Sequence, residues 1–364
     1  MKILSLFDGI SCARVALERA GIPVEVYYAS EIDKYAIQIS QKNYPEIIQL
    51  GDIKTLTNDS KYLFGGLDIL IGGSPCQDLS IAKKNRKGLD GERSGLFWEY
   101  VRILKEVKPK YFILENVNSM PKEAKAIITE ALGVEPIMIN AALVSAQQRK
   151  RLFWTNIPGV TQPEDKGILL KDILEKGEVP FTKYGIEKMK SNTLRKGGRS
   201  SGIDDKHNWD TIRVGQFGKG GQGDRVYSPE GKSVNLSAHG GGRGAKTGLY
   251  LIVPEATKKG YAVAHDGDSV DLSFPNSKTR RGRVGKKSKN LMTSNNIGVF
   301  TNGVIRKLTT VECERLQSLP DGYTEGVSEN QRYTCLGNAF NVDVIAHILS
   351  FIPNDPPQTP REVR

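Results

Sequence analysis

The feature that most constrains the fold is an alternation of short apolar runs with helical stretches over the first 155 residues. The runs that predict strands are "KILSLF" (2–7), "VEVYYAS" (24–30), "LDILIGG" (67–73), "KYFILEN" (110–116) and "RLFWTN" (151–156). The stretches that predict helices are "CARVALERAG" (12–21), with Gly21 as C-cap, and "GLFWEYVRILKEVKP" (95–109). Strands that alternate with helices build βαβ units, so we predict an α/β fold around a mostly parallel sheet.

The rest of the chain predicts a second domain inserted into the first. Its middle is rich in Gly, Ser, Thr and Arg and carries short β-type runs such as "TIRVGQF" and "GLYLIV", whereas helical periodicity returns in "LTTVECERLQSLP" and "NAFNVDVIAHILSFIP". We therefore predict a first α/β domain (1–158), a β-rich insert (159–303), a C-terminal segment that returns to the first domain (304–352) and a flexible tail (353–364).

The insert also contains a loose internal similarity. "RVYSPEGKSVNL" followed by "TGLYLI" (225–252) aligns with "RVGKKSKNL" followed by "IGVF" (283–300), and each copy is preceded by a short strand-like piece. This pattern predicts a duplicated β-meander, with coincidence between turn-rich segments as the alternative.

The net charge of +11 lies entirely in the middle of the chain. Residues 183–289 hold 22 Lys and Arg against 10 Asp and Glu, and the remainder holds 30 against 31. A basic block can be an ordinary solvated surface, but its confinement to one segment favours a polyanion-binding face.

Sequence features also indicate the cellular compartment of the protein. No window holds the roughly 18 consecutive apolar residues that a membrane helix needs, and the apolar start is too short for a signal peptide. The four cysteines (Cys12, Cys76, Cys313, Cys335) form no CxxC pair. We therefore expect a cytoplasmic protein without a structural metal or disulfide framework.

Three polar features follow successive strands and predict a nucleoside-bearing ligand. A turn containing glycine ("FDGISC") follows the first strand, Glu31 ends the second, and Asp52 stands in "GDI". An acid at such a position can take ribose hydroxyls, although a lone acid more often caps a helix. Since no GxGxxG loop is present, S-adenosylmethionine fits better than a dinucleotide.

A second set of residues combines a candidate nucleophile with charged side chains that suit a phosphate or the carbonyl-rich edge of a base. Cys76 follows an apolar run, two glycines and a proline, Glu115 and Asn116 end the strand "FILEN", and Arg149 and Arg151 share one face in "QQRKR". Taken alone, Cys76 fits a buried core residue as well as a nucleophile. The polar stretch 77–94 that follows suits a mobile lid.

These motifs, in this order, resemble the C5-cytosine DNA methyltransferases. The matching pieces are "FDG", Glu31, "GDI", "GGSPCQDLS", "GLFWE", "ENV", "QQRKR", "RKLTTVECERLQSLP" and "CLGNAFNV". Within the family they are most similar to the de novo vertebrate enzymes and their bacterial or phage relatives. The resemblance implies a Rossmann-like S-adenosylmethionine-dependent methyltransferase fold, a mixed and mostly parallel sheet with helices on both faces, plus a basic, β-rich target-recognition domain.

The resemblance also implies roles for particular residues. It makes Cys76 the thiolate that attacks C6 of a flipped-out cytosine, Glu115 the contact to N3 and the exocyclic amine, and Arg151 the contact to O2. Arg149 would anchor a loop or a phosphate, and Asn116 belongs to the same catalytic set. The positions expected to line the S-adenosyl-L-methionine site are Phe7, Asp8, Gly9, Ile10, Ser11, Glu31, Ile32, Asp52, Ile53, Pro75, Leu96, Asn338 and Ala339.

For the nucleic acid, the family implies double-stranded DNA bound by one chain as a monomer. The residues expected from charge and position to contact DNA are Ser80, Lys83, Arg86, Arg225, Arg280, Arg281 and Arg283. The product would be S-adenosyl-L-homocysteine, no metal is required, and the chain fits either an enzyme with a cognate restriction endonuclease or an orphan. The alternatives are a tRNA cytosine-C5 methyltransferase, a catalytically silent DNA-binding relative, and a NAD-type oxidoreductase, for which the GxGxxG loop is missing.

Overall fold

The fold is known from a computed structural model, and its described residues form two compact units. These residues are 1–56, 66–75, 95–176, 213–216, 225–227, 252–258, 261–273, 277, 279–294, 296–301 and 304–353. The first unit comprises the described parts of Met1–Ile168 and Glu314–Arg364, and the second those of Leu169–Cys313. The boundaries predicted at residues 158 and 303 both lie N-terminal to these divisions, and the assignment of the insert to target recognition stays a prediction.

The first unit is built on a seven-stranded sheet. Its strands are β1 (Lys2–Leu6), β2 (Val26–Ser30), β3 (Ile48–Gln49), β4 (Ile69–Gly72), β5 (Tyr111–Val117), β6 (Ile137–Asn140) and β7 (Lys150–Thr155). Their spatial order is β3-β2-β1-β4-β5-β7-β6. The pairs from β3 to β5 are parallel, and β7 runs antiparallel to both β5 and β6. The predicted mixed, mostly parallel sheet is confirmed.

The described residues form seven α-helices, and capping residues explain where some of them begin or end. They are α1 (Cys12–Arg19), α2 (Lys34–Asn43), α3 (Leu96–Val107), α4 (Lys122–Leu132), α5 (Thr310–Leu316), α6 (Glu329–Asn338) and α7 (Val342–Leu349). Gly21 follows the C-cap of α1 at φ +69°, as its sequence position predicts. Asp33 and Asn341 accept backbone N–H groups at the first turns of α2 and α7. None of the described helices is both long enough and apolar enough to cross a membrane.

Apolar side chains of the sheet, α3 and α4 pack into a core in the first unit. Buried side chains from β1, β4, β5, β7, α3 and α4 meet there, among them Leu6, Leu70, Tyr100, Leu114 and Trp154. Because β1 and β4 are covered on both faces, they are apolar runs without alternation. This core fixes the carboxyl ends of β1, β2, β4 and β5 along one edge of the sheet.

The second unit is mainly antiparallel in its described part. A four-stranded sheet has the order β13-β12-β14-β15, formed by β12 (Ser269–Asp271), β13 (Val284–Gly285), β14 (Ile297–Thr301) and β15 (Val304–Lys307). Two hairpin-like pairs join β8 (Arg213–Gln216) to β9 (Arg225–Tyr227) and β10 (Ile252–Pro254) to β11 (Tyr261–Val263). The predicted β-rich character is thus seen. The first copy of the predicted internal repeat (225–252) lies largely outside the described residues, and the duplication stays a prediction.

Candidate active site

The strand order places the candidate residues at one edge of the sheet. The chain order reverses between β1 and β4, and open α/β sheets bind ligands at the carboxyl ends of strands where such a reversal occurs. Phe7 follows β1, Glu31 follows β2, and Gly73 follows β4. The sequence signals at these strand ends therefore belong to neighbouring positions.

The turn after β1 has an unusual backbone. Phe7, Gly9 and Ser11 have φ angles of 57°, 61° and 59°, so that two residues with a Cβ adopt the left-handed region within five positions. Such a conformation costs on the order of 1–3 kcal/mol for each residue other than glycine and is concentrated at functional sites. The surrounding hydrogen bonds must hold this turn in place.

Asp8 supplies part of that support from beneath the turn. Its carboxylate is buried and accepts hydrogen bonds from Ser11 Oγ (2.5 Å) and Tyr27 Oη (2.6 Å). Burial raises the pKa of Asp8 from 3.8 to about 6, against the opposing effect of its hydroxyl donors. Ser11 Oγ also lies 2.6 Å from Ser40 Oγ on α2. Asp8 thus holds the turn, and its direct contact with a cofactor stays a prediction.

Glu31 joins the ends of β1 and β2. Its Oε2 accepts the N–H of Gly9 (2.8 Å), and its Oε1 accepts those of Ile32 (2.7 Å) and Asp33 (2.9 Å). Ile32 beside it is 72% exposed, an uncommon degree for an aliphatic side chain next to a buried sheet. The oriented carboxylate of Glu31 can accept hydrogen bonds from hydroxyl groups, and the exposed side chain of Ile32 can pack against an apolar ring.

The remaining cofactor candidates differ in their surroundings. Asp52 begins a 3₁₀ turn and accepts the N–H of Lys54 (3.0 Å), while Ile53 is buried in the core. Leu96 opens α3 and is partly buried, Asn338 ends α6 and is exposed, and Ala339 after it is buried. Ile10 is buried and Pro75 is partly buried. Their contacts with a cofactor stay predictions.

Glu115 and Arg151 form an ion pair at the end of β5. Glu115 lies opposite Phe153 and Val117 opposite Arg151 in the antiparallel β5–β7 register, so both charged side chains lie on one face of the sheet. Arg151 Nε is 2.7 Å from Glu115 Oε1, and each side chain is 13% exposed. The partner that a carboxylate needs at this position is therefore the second arginine of "QQRKR".

Arg149 does not share that carboxylate. Its side chain is 4% exposed, and Nη2 donates to the carbonyl of Ala339 (2.9 Å), with longer bonds from both terminal nitrogens to Gly337 (3.4 Å). Arg149 thus holds the last turn of α6 and the residue after it, and its predicted anchoring of a loop or a phosphate stays a prediction. Its burial leaves little of the guanidinium for a phosphate.

Asn116 points to the segment after β4. Its Nδ2 donates to Ser74 Oγ (3.1 Å) and to the Ser74 carbonyl (3.4 Å), and its side chain is buried. Asn116 therefore fixes the backbone two residues before Cys76. Cys76, Ser80, Lys83, Arg86 and the predicted lid at 77–94 lie outside the described residues.

The sequence interpretation missed Gly73 and Phe340. An added Cβ at Gly73 would lie 2.6 Å from Phe340 Cε1 and 3.3 Å from Glu115 Oε2. Phe340 also lines a small cavity together with Glu115, Arg149 and Arg151. Its position next to Asn338 and Ala339 was a signal, but the contact with Gly73 depends on tertiary structure.

In the second unit, the three predicted DNA-contacting arginines of 280–283 have different environments. Arg283 is buried, and its Nη1 donates to the carbonyls of Asp271 (3.1 Å) and Ser273 (3.0 Å). Arg280 forms an ion pair with Asp271 (2.7 Å), whereas Arg281 is exposed and donates from Nε to the Ala256 carbonyl (2.8 Å). Of the three, Arg281 presents its terminal nitrogens most openly. Arg225 lies in β9, and its side chain is outside the described part.

No three His, Cys, Asp or Glu side chains come together as a metal site among the described residues. Two of the three buried cysteines of that part have raised pKa values: burial raises the pKa of Cys335 to about 12 and that of Cys12 further. These two thiols therefore stay protonated at neutral pH and are poor nucleophiles.

Comparisons with known proteins identify the family of the chain. The model of the C-5 cytosine-specific DNA methylases matches residues 1–354. The type II methyltransferase M.HhaI of Haemophilus parahaemolyticus is 27% identical over 377 residues, covering 96% of this chain and 93% of that protein. The orphan methyltransferase M.SPRI of Bacillus phage SPR is 28% identical over 433 residues, with 96% of each chain covered.

Solved structures of other methyltransferases have a similar fold. The crystal structure of a DNA modification methyltransferase encoded within an E. coli prophage matches with a TM-score of 0.57 at 19% identity, covering 96% of this chain and 98% of that one. This likeness shows the fold, and the family model supplies the chemistry over nearly the whole length. The chain therefore belongs to the C-5 cytosine-specific DNA methylase family and is a DNA cytosine-5 methyltransferase.

Proposed function

We propose that Cys76 is the nucleophile, that Glu115 and Arg151 hold the target cytosine, and that S-adenosyl-L-methionine is the methyl donor. The observation that carries this proposal is the Glu115–Arg151 ion pair, which lies where β5 ends and beside Gly73. A carboxylate and a guanidinium in contact present an acceptor and several donors together. This combination matches the N3, amino and O2 edge of cytosine.

The strand ends fit S-adenosyl-L-methionine in their chemistry. When bound, this cofactor supplies an electrophilic methyl group. Oε2 of Glu31 accepts one backbone hydrogen bond and keeps a lone pair that can accept a ribose hydroxyl, whereas Oε1 already accepts two. The exposed Ile32 beside it supports an apolar contact with a purine ring. The left-handed turn from Phe7 to Ser11 supports a close approach of ligand to backbone.

The reaction follows from these roles. The thiolate of Cys76 adds to C6 of cytosine, and the electron pair displaced from the C5–C6 bond is stabilised as Glu115 shares a proton with N3. S-adenosyl-L-methionine, held by Glu31, Ile32 and the turn from Phe7 to Ser11, would supply the methyl group to C5 and keep the electron pair of the broken bond on its sulfur. Loss of the C5 proton to water breaks the bond between Cys76 Sγ and C6, and the N3 proton returns to Glu115.

The substrate proposed is duplex DNA with the target base flipped out of the helix. C5 and C6 are inaccessible within the stack, so a base must be extruded to reach a pocket at a strand end. The basic segment 183–289 supports binding of the phosphate backbone, with Arg281 as an exposed candidate. Residues 159–303 are accordingly proposed as the target-recognition domain.

The biological setting is proposed from the relatives' names and organisms. M.HhaI is named a type II methyltransferase and M.SPRI an orphan methyltransferase of a phage. We place this chain in the cytoplasm of a bacterial or phage-infected cell, acting as a monomer. The presence of a cognate restriction endonuclease would identify the chain as part of a restriction-modification pair, and its absence would identify an orphan methyltransferase.

The test compares the wild type with Cys76→Ala and, as a matched control, Cys313→Ala. Cys313 is buried in α5 and has no place in the mechanism. Methyl transfer from labelled S-adenosyl-L-methionine to duplex DNA should persist in the Cys313 variant and vanish in the Cys76 variant, which still binds DNA. Transfer to tRNA in place of DNA, or full activity of Cys76→Ala, would contradict the proposal.

A further inference from the structure

The contact between Gly73 and Phe340 is closer than any larger residue allows. At Gly73 an added Cβ would lie 2.6 Å and 3.0 Å from two ring carbons of Phe340, and 3.3 Å from Glu115 Oε2. Gly73 is not among the residues of positive φ, so its backbone conformation admits alanine. The glycine is therefore needed for close approach, and the aromatic ring and the carboxylate converge on the same point of the backbone.

The chain on either side of Phe340 is fixed by buried side chains. Arg149 Nη2 donates to the carbonyl of Ala339 (2.9 Å), just before the ring. Just after the ring, Asn341 Nδ2 donates to the carbonyl of Leu316 (3.0 Å). The side chain of Phe340 itself is only 8% exposed. A ring held in this way cannot move aside at low cost when its neighbour changes.

We propose that Phe340 is a positioning residue of the methyl-transfer reaction, which holds the carboxylate of Glu115 between Arg151 and the backbone of Gly73. This inference rests on the role proposed above for Glu115. The ring lines the same small cavity as Glu115 and Arg151, and it keeps the carboxylate in the orientation that faces Arg151 Nε at 2.7 Å. Arg149 acts through this ring, since it fixes the carbonyl of the residue that precedes it.

The inference predicts a compensating pair of substitutions. Gly73→Ala introduces the overlapping Cβ and should displace the ring or the carboxylate. Phe340→Ala removes the ring and should lower the rate less. In the double variant the added methyl group occupies space that the ring has vacated, so the rate should return to that of Phe340→Ala alone.

The readout isolates the addition to C6 from methyl transfer. In DNA tritiated at C5 of cytosine and without a methyl donor, addition of the thiolate to C6 lets a solvent proton bond to C5. Loss of the tritium to water and expulsion of the thiolate then complete the exchange. Because a displacement of about 1 Å costs roughly 100-fold, tritium release should fall about 100-fold in Gly73→Ala. The KM for S-adenosyl-L-methionine should change far less than this rate.

Phe351→Ala serves as the matched control because it removes a ring that packs on His347 (5.1 Å between centroids) at the end of α7. Its tritium release should equal that of the wild type. A double variant that is folded by circular dichroism but exchanges no faster than Gly73→Ala would overturn the inference. So would a Gly73→Ala variant with wild-type exchange. If the wild type itself releases no tritium, the proposed mechanism is refuted. If Gly73→Ala does not fold and the added Phe340→Ala substitution restores folding, the result supports the close contact between Gly73 and Phe340.

Discussion

Replacing Asp8 by asparagine should change how the stability of the first unit depends on pH. Asp8 is buried under the turn that follows β1, and burial raises its pKa from 3.8 to about 6. The difference between these values, at about 1.4 kcal/mol per pH unit, corresponds to about 3 kcal/mol of folding free energy. Asparagine has nearly the same shape and no titrating group, so it removes this dependence while it preserves most of the packing.

The sign of the effect follows from the raised pKa. As the pH increases, Asp8 ionises in the unfolded chain before it ionises in the folded protein. Its contribution to the free energy of unfolding is therefore fully present below about pH 3.8 and is lost as the pH rises to about 6. Above that pH the contribution is constant. The wild type should therefore lose about 3 kcal/mol relative to Asp8→Asn between these limits. The carboxylates whose pKa is lowered, Asp271 and Asp321, act equally in both proteins and cancel in the comparison.

The assay must report on the first unit alone, because two compact units can unfold separately. Hydrogen–deuterium exchange of peptides from β1 and α1, measured by mass spectrometry across a urea series, gives the local free energy of unfolding at each pH. A difference between wild type and Asp8→Asn that stays constant from pH 3.5 to pH 7.5 would refute the reasoning.

Two further predictions concern the second unit. Glu312→Ala should lower the free energy of unfolding by roughly 3–5 kcal/mol in a denaturant titration, because it leaves the charge of Arg306 buried without a partner. In the wild type, the Glu312 carboxylate accepts hydrogen bonds from the two terminal nitrogens of Arg306, at 2.7 Å and 2.6 Å. A loss below about 1 kcal/mol would contradict a structural role for this pair. Arg281→Ala should weaken DNA binding and reduce the slope of log affinity against log salt concentration by about 1, while Arg283→Ala should mainly lower the melting temperature. Equal salt slopes for the two variants would contradict the prediction that the exposed Arg281, and not the buried Arg283, contacts a DNA phosphate.

Local patterns were sufficient for much of the first unit. Apolar runs predicted β1, β2, β4, β5 and β7 close to their observed bounds. The central parallel strands β1 and β4 give this signal because they are buried on both faces. A carboxylate after four apolar residues is costly to bury without a partner, and the ion pair of Glu115 supplies one. The arginine that meets it was also among the predicted residues.

Other features depend on contacts that no local pattern encodes. The helices α2 and α4 were not predicted, and the antiparallel insertion of β7 between β5 and β6 follows from tertiary packing. Arg149 reaches carbonyls nearly two hundred residues away, so its anchoring partner could not be identified from "QQRKR". The same holds for Phe340, whose importance depends on the absence of a side chain at Gly73.

The most direct test of the account is covalent trapping on duplex DNA that carries 5-fluorocytosine at the target position. With S-adenosyl-L-methionine present, no proton can leave C5 after methyl transfer, so the bond between enzyme and C6 should persist. The account predicts a stable protein–DNA adduct whose tryptic peptide is modified at Cys76. No adduct, or an adduct at Cys12, Cys313 or Cys335, would contradict it.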